Sequence, residues 1–451
     1  MRLKESAMNV KWMGLVLILF LSTNALGQGL FEEAEKSKDK EKAFELNGYL
    51  RSTFYLGKVP EENNGELKSG YGEFSLKLKA SKKSFGSAFA EVRFRNGHEF
   101  NNQISELNLR EAYVSAYLGR FDFKLGHQIV VWGRADGINP TDNITPKNML
   151  NRSPDEDDKR IANFLLRALY NAQPVRIEFI WVPVFKPSVV PTDLIEFPPG
   201  ITLGDSVYPD VSLENSAFAA KLNLELAAFD GSLSYFDGHN PFPGISMDYP
   251  PPLPGSPAPP RTFSLESYRM RVFGADFSTT VAGSFGLRGE VAYMKPFGDY
   301  TNSSQIPNPD LRYIFGMDKE FSGNFSVILQ YIGKYVYDFI PLVEPSDPAD
   351  IPAYELELKN RIITSQQYET SHSFSCRLGW ILLHETMELE LLSLANLTSE
   401  EFFVRAKMAY DIADAFTFTL GGELYSGSED TLFNFVEDHL SSVFVELKIS
   451  F

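Results

Sequence analysis

The chain has 451 residues, 43% of them hydrophobic, a formal net charge of −17 and one cysteine, Cys376. That length suffices for one large barrel or two or three ordinary domains, and the apolar content excludes a disordered chain. The acidic balance excludes a nucleic-acid partner, because phosphate binding needs a basic face, and one cysteine allows neither an internal disulfide nor a cysteine-based metal site.

Residues 1–27 read as a secretory signal. Arg2, Lys4 and Lys11 form a basic stretch, Trp12 to Leu21 a short apolar core, and Ala25-Leu26-Gly27 a small-residue cleavage site, so that Gln28 begins the mature chain. A start at Met8 leaves this unchanged. The alternative, a membrane-anchor helix, conflicts with an apolar run shorter than the ~20 residues a bilayer crossing needs. No cysteine follows for a lipid anchor. After Gly27 no long apolar run occurs, which excludes a helical inner-membrane protein and leaves a soluble exported protein or a barrel. Residues 28–44 are a charged periplasmic segment: a short helix, a lumen plug or a disordered leader.

From residue 45 to 451 the chain alternates apolar and polar residues in runs of roughly ten, the period of a strand with two different faces. About eighteen strands start near residues 45, 69, 85, 105, 120, 163, 174, 213, 228, 263, 283, 310, 323, 370, 385, 400, 414 and 440. In the last of them Val443, Val445, Leu447, Ile449 and Phe451 share one face, and Glu446, Lys448 and Ser450 the other. A soluble sandwich alternates in the same way. Loop lengths separate the two: short turns such as Ser81 to Ser84, Gly119 and Asn171 to Gln173 alternate with long connections at 58–68, 132–162, 184–212, 238–262, 297–309, 338–369 and 427–439. Short turns on one side and long loops on the other mark a transmembrane antiparallel up-and-down β-barrel of 16–20 strands. Phe54, Phe94, Trp181, Tyr235, Tyr293 and Tyr335 fall where an interfacial aromatic girdle would lie. The run Pro250 to Pro260 reads as a stiff external loop.

Loop 132–162 is the third external loop and the expected constriction, with Arg134, Asp136, Asp142, Asp155, Glu156, Asp157 and Asp158 as its charged residues. The third loop of porins folds into the lumen, and this expectation is an analogy of position. Its acids would face a wall carrying Lys77, Lys79, Arg93, Arg95, Arg176, Arg288, Arg405 and Lys407, with Glu91 and Glu290 among them. Opposed charges across a narrow aqueous gap would orient polar solutes. The alternative places the acids on the outer surface, binding divalent cations among lipopolysaccharide head groups.

Leu109-Arg110-Glu111-Ala112-Tyr113, Gly126-His127-Gln128, Trp132-Gly133 and Asn139-Pro140 follow one another over a short stretch. This order resembles a family of porin-like outer-membrane proteins with no assigned chemistry, in which arginine usually stands at the position of His127. Val182-Pro183-Val184-Phe185-Lys186-Pro187 resembles a further segment of that family. Phe451 resembles the C-terminal aromatic signal read by the barrel-assembly machinery. The resemblance implies an outer-membrane barrel, exported by the secretory pathway. Arg110 and Glu111 are expected to brace the loop base, and Gln128 and Trp132 belong to the same motif. His127 shares parity with Phe123, Leu125 and Ile129, and a bulge at Gly126 would turn it inward.

The histidines accompany no nucleophile motif, and no HExxH, Walker A or dinucleotide fingerprint occurs, so neither an enzyme nor a cofactor nor a metal is expected. The expected function is passive diffusion of small polar solutes through a porin or substrate-selective channel. Its surroundings would be outer-membrane lipid and lipopolysaccharide, and assembly as a homo-oligomer is open. Two rivals are a plugged transporter of hydrophobic or lipid-like cargo and a barrel with an enzymatic or adhesive external face.

Overall fold

The computed structural model describes residues 44–58, 64–82, 85–100, 102–192, 201–248, 261–301, 303–347 and 350–451. The expected signal sequence at 1–27, the segment 28–44 apart from Phe44, and the run Pro250 to Pro260 lie outside the described residues.

The first seven strands are β1 (Phe44–Lys58), β2 (Gly65–Lys82), β3 (Gly86–Glu99), β4 (Asn102–Leu118), β5 (Phe121–Gln128), β6 (Asn163–Ala172) and β7 (Val175–Val182). Then come β8 (Ile201–Leu203), β9 (Ala217–Glu225), β10 (Phe229–His239), β11 (Gly244–Asp248), β12 (Arg261–Glu266), β13 (Arg269–Val281) and β14 (Phe285–Pro296). The chain ends with β15 (Asp310–Phe321), β16 (Phe325–Val336), β17 (Thr370–Leu382), β18 (Met387–Asn396), β19 (Glu401–Ala413), β20 (Phe416–Gly427) and β21 (Ser442–Ser450). All but β8, β11 and β12 form one 18-stranded antiparallel sheet in which each strand pairs with its successor. The sheet closes where β21 pairs with β1, from Tyr49↔Ser450 to Gly57↔Ser442.

Burial decides between the two readings of the alternation. On β1 the buried residues are Tyr49, Arg51, Thr53 and Tyr55, while Leu50, Phe54 and Leu56 stand exposed between them. The same inversion recurs around the wall: Glu73, Glu91, Arg95, Glu178, Glu290, Arg405 and Glu446 are buried, and Leu233, Phe273, Leu329, Phe374, Leu424 and Leu447 are exposed. A water-soluble barrel would bury the second set. An apolar outer belt around a polar interior is the arrangement of a barrel immersed in hydrocarbon. On β17 the outward row runs His372, Phe374, Cys376, Leu378, Trp380. His372 meets the Tyr331 hydroxyl (2.8 Å) at one end, and Trp380 packs edge-on against Phe325 at the other, so aromatic groups mark both borders of the belt.

The sequence reading places one strand near residue 263. That stretch is β12, which pairs with β11 and β8 in a small external sheet, and the barrel resumes at β13. Two helices lie in segments read as plain loops, α1 (Ile351–Thr364) and α2 (Leu432–Leu440). α1 has proline in its first turn and ends at Ser365 in the left-handed region. Its Leu356 packs with Ile245 and Phe263, and Asn360 exchanges two 2.8 Å hydrogen bonds with the backbone of Ile245. The Thr431 hydroxyl caps α2 by accepting from Asn434 N.

An arginine placed at Leu391, on the outward row of β18, should cost about 2–4 kcal/mol if that row faces the bilayer midplane. Guanidinium unfolding of the refolded protein in liposomes measures this; a cost near zero would mean that the outer face meets water.

Candidate functional site

Segment 129–162 leaves the wall at the end of β5 and crosses the barrel interior. Side chains replace the backbone partner where it departs. The Glu111 carboxylate accepts from Ile129 N (2.8 Å), and Thr145 Oγ1 both accepts from Val130 N (3.0 Å) and donates to Val130 O (2.7 Å). Val130, Trp132 and Ile144 then pack into a dry cluster with Leu165, Ile180, Val182, Met270 and Val272. The Trp132 indole donates to Glu178 (3.4 Å).

A turn follows, organised by one carboxylate. Glu290 on β14 accepts from Thr141 N and Oγ1 (both 2.8 Å) and from Arg134 N (3.1 Å). Gly133 sits there at φ 104°, where a Cβ would come within 2.7 Å of Glu290 and 2.5 Å of Asn139 Oδ1. The Trp-Gly and Asn-Pro pairs of the sequence motif are thus two sides of one turn, and only glycine fits the first. Arg134 reaches Asp276 on β13 (2.6 Å), which also accepts from Lys221 (2.9 Å) and Ser232 (2.6 Å). Asp136 receives Arg377 of β17 (2.7 Å), and its backbone N–H donates to Gln330 of β16 (2.7 Å). Arg377 also holds Glu390 (2.6 Å).

The return half docks further round the wall, from β19 through the seam to β3. Asp158 lies between Arg51 of β1 (2.7 Å) and Arg93 of β3 (2.6 Å) and accepts from the Ser153 hydroxyl (2.6 Å). Glu156 meets Arg405 of β19 (2.8 Å). Arg152 reaches Glu423 of β20 (3.1 Å) and Ser442 of β21 (2.7 Å), while its own N–H donates to Glu99 of β3 (2.8 Å). Arg110 donates to the carbonyls of Asp157, Asp158 and Arg160. It can do so because β4 is bulged: Glu91 pairs with Glu111 and Val92 with Leu109, so Arg110 is the extra residue and both it and Glu111 face inward. Asp142 and Arg160 (2.6 Å) tie the two halves together. Burial would raise the Asp158 carboxyl, but Arg51 and Arg93 outweigh it and hold it well below the usual carboxylate range. Glu156 is likewise held low against burial by Lys159 and Arg405.

The expected constellation is met in part and corrected in part. Asp158 and Glu156 do reach wall cations, Arg93 and Arg405, in direct contact: the Asp158 side chain is buried, whereas that of Glu156 is 51% exposed. The acids touch the wall cations rather than face them across a gap, because the loop packs onto the wall. Arg95 binds Asn151 (2.6 Å) and Glu99 (3.1 Å) rather than a loop acid. Lys77, Lys79, Arg176 and Lys407 have wall partners instead, Glu91, Glu45, Glu225 and Glu390, while Arg288 holds Asp318 and also donates to the loop at the Arg134 carbonyl (3.2 Å). Asp155 caps a 3-10 turn at Glu156–Lys159, and Asp157 points to water beside Arg160 (3.0 Å). Gln128 donates to Leu165 O (3.1 Å). Pairing runs unbroken through Gly126, so His127 keeps the outward face, beside Phe164. The bulge that would have turned it inward lies in β4 instead. Arg51, Arg152 and Arg377, absent from the sequence expectation, carry much of the docking; Arg51 and Arg377 have inward parity on their strands, and that was the available signal.

No family model and no curated protein matches the chain. Solved structures do. OccAB4 of Acinetobacter baumannii aligns at TM-score 0.53 and 10% identity over 92% of this chain and 98% of that one. A BenF-like porin from Pseudomonas fluorescens aligns at TM-score 0.53 and 8% identity over 91% and 98%. OccAB3 of Acinetobacter baumannii aligns at 0.52 and 8% over 90% and 98%. At these identities the likeness is one of fold.

Asp158→Asn removes the anion that Arg51 and Arg93 share with the loop. Because Arg51 keeps Glu73 (2.8 Å) and Arg93 keeps Glu91 (2.6 Å), the cost should fall below the ~3–5 kcal/mol of a buried charge left unpaired. Faster proteolysis of segment 146–162 in the folded variant is the expected readout. The pH dependence has a definite sign. A depressed carboxyl stabilises the docked loop above its unfolded pKa of ~3.9, and that stabilisation disappears only as pH falls through the lower folded value. Protection of the segment should therefore persist at pH 4 and fail at more acid pH; loss between pH 6 and 5 would contradict the assignment.

Proposed function

We propose that the protein is an outer-membrane porin, a substrate-selective channel for passive diffusion of small polar solutes, in which loop 132–162 narrows the lumen. The observation that carries this reading is the path of segment 129–162, fastened to β13, β14, β16 and β17 on one side and to β1, β3, β19, β20 and β21 on the other. A loop fixed across the interior reduces the open cross-section and sets charged groups at its margin. The membrane-type barrel supports an outer-membrane location, reached through a signal sequence cleaved after Gly27 and recognition of Phe451 by the assembly machinery. Lipid and lipopolysaccharide would surround it, and homo-oligomers are compatible with the fold. The porin-like neighbours support a channel rather than an enzyme.

The plugged-transporter reading has less support, since the inner wall carries many charged groups. Closed ion pairs change which loop acids count. Asp158 acts as a fastener, Glu156 is half exposed beside Arg405, and Asp157, with its side chain 77% exposed, keeps its charge available to solutes.

Single-channel recording of the mature protein in a planar bilayer under a salt gradient tests the proposal. Steps of fixed size are expected, and a folded, inserted protein that conducts nothing would refute it. Replacing Asp155 and Asp157 by asparagine should shift the reversal potential toward anions without altering unfolding. An unmoved potential would put those acids outside the ion path.

A further inference from the structure

The outward face of strands β15 to β19 contains a concavity of about 560 Å³. Register explains it. Leu329, Cys376, Ser393 and Val404 lie side by side on β16, β17, β18 and β19, and one step toward the external end lie Tyr331, Phe374, Ala395 and Phe402. Cys376, Ser393 and Ala395 are small and half-buried, and they form a floor. Phe315, Met317, Leu329, Phe374 and Phe402 stand exposed around it as a rim.

Its height is fixed by the β17 row, in which Cys376 lies midway between His372 and Trp380, the two borders of the belt. The floor therefore sits near the bilayer midplane, where the only surroundings are hydrocarbon. No hydroxyl is left to seek a polar partner, because Ser393 donates to the carbonyl of Cys376 (3.4 Å). The volume lies in the ~300–1,000 Å³ range of small-molecule sites and exceeds what one side chain projecting from a neighbour would fill.

We propose that this concavity is a lipid site that holds one acyl chain of an outer-membrane lipid. Apolarity, midplane depth and volume together select a flexible hydrocarbon chain over a second copy of the protein. The site lies outside the lumen and does not depend on the channel reading.

Native mass spectrometry of protein extracted from outer membranes in mild detergent provides the test. The unaltered chain should carry one retained lipid. Ser393→Phe fills the floor and should lower that occupancy about ten-fold, whereas Leu233→Phe, on the outward face of β10, should leave it unchanged. Equal occupancy in all three would overturn the proposal. So would a lipid-free oligomer that Ser393→Phe dissociates, which would assign the concavity to a second copy. Should Ser393→Phe not fold, the unaltered protein still decides: delipidation should raise the maleimide labelling rate of Cys376 severalfold, and an unchanged rate would overturn the site.

Discussion

A sheet that faces hydrocarbon can leave no edge of backbone unpaired within it, and this constraint organises the whole molecule. Closure of β21 onto β1 satisfies it for the ends of the chain. Once the outside must be apolar, charges along the middle of the strands are driven inward, and outward ones such as Asp237, Arg269 and Arg271 sit at strand ends, paired with one another. The interior therefore holds arginines and carboxylates in numbers that a soluble core could not accept, and a crossing segment finds partners wherever it lies.

Two kinds of contact hold that segment, and their magnitudes differ. Burying Val130, Trp132 and Ile144 contributes roughly 5–9 kcal/mol before the entropy of ordering the loop. Buried ion pairs such as Arg51 with Asp158 gain little net, since desolvation offsets most of the attraction. The apolar end thus supplies most of the adhesion. The ionic end sets position, because an arginine left without its anion costs far more than the intact pair provides. Arg51 is held by Asp158, by Glu73 (2.8 Å) and, farther off, by Glu446 (3.6 Å).

The strands were legible because a period of two with opposite faces survives inversion of inside and outside, and the long loops then showed which environment lay where. What the pattern could not give is anything set by a single displaced residue or by contacts between distant segments. The β4 bulge is invisible in sequence, yet it decides that Arg110 and Glu111 both reach the loop. α1 owes its position to Ile245 and Phe263, far earlier in the chain, and to Asn360, so its helical stretch looked like any charged loop. Within the loop, composition drew attention to the acids. Their division into fasteners and solvent-facing charges depended on Arg51 and Arg405, whose partners only the closed barrel brings near.

The docked segment also touches both ends of the chain. Asp158 binds β1, while Arg152 binds β20 and β21, the strands that close the ring. The complete set of contacts cannot exist until the first and last strands have met. Loop docking is therefore a late event in assembly and acts as a clasp across the seam. An unclosed sheet carries the same segment with its arginines and acids still hydrated, so the interior takes its final shape only after the wall is finished.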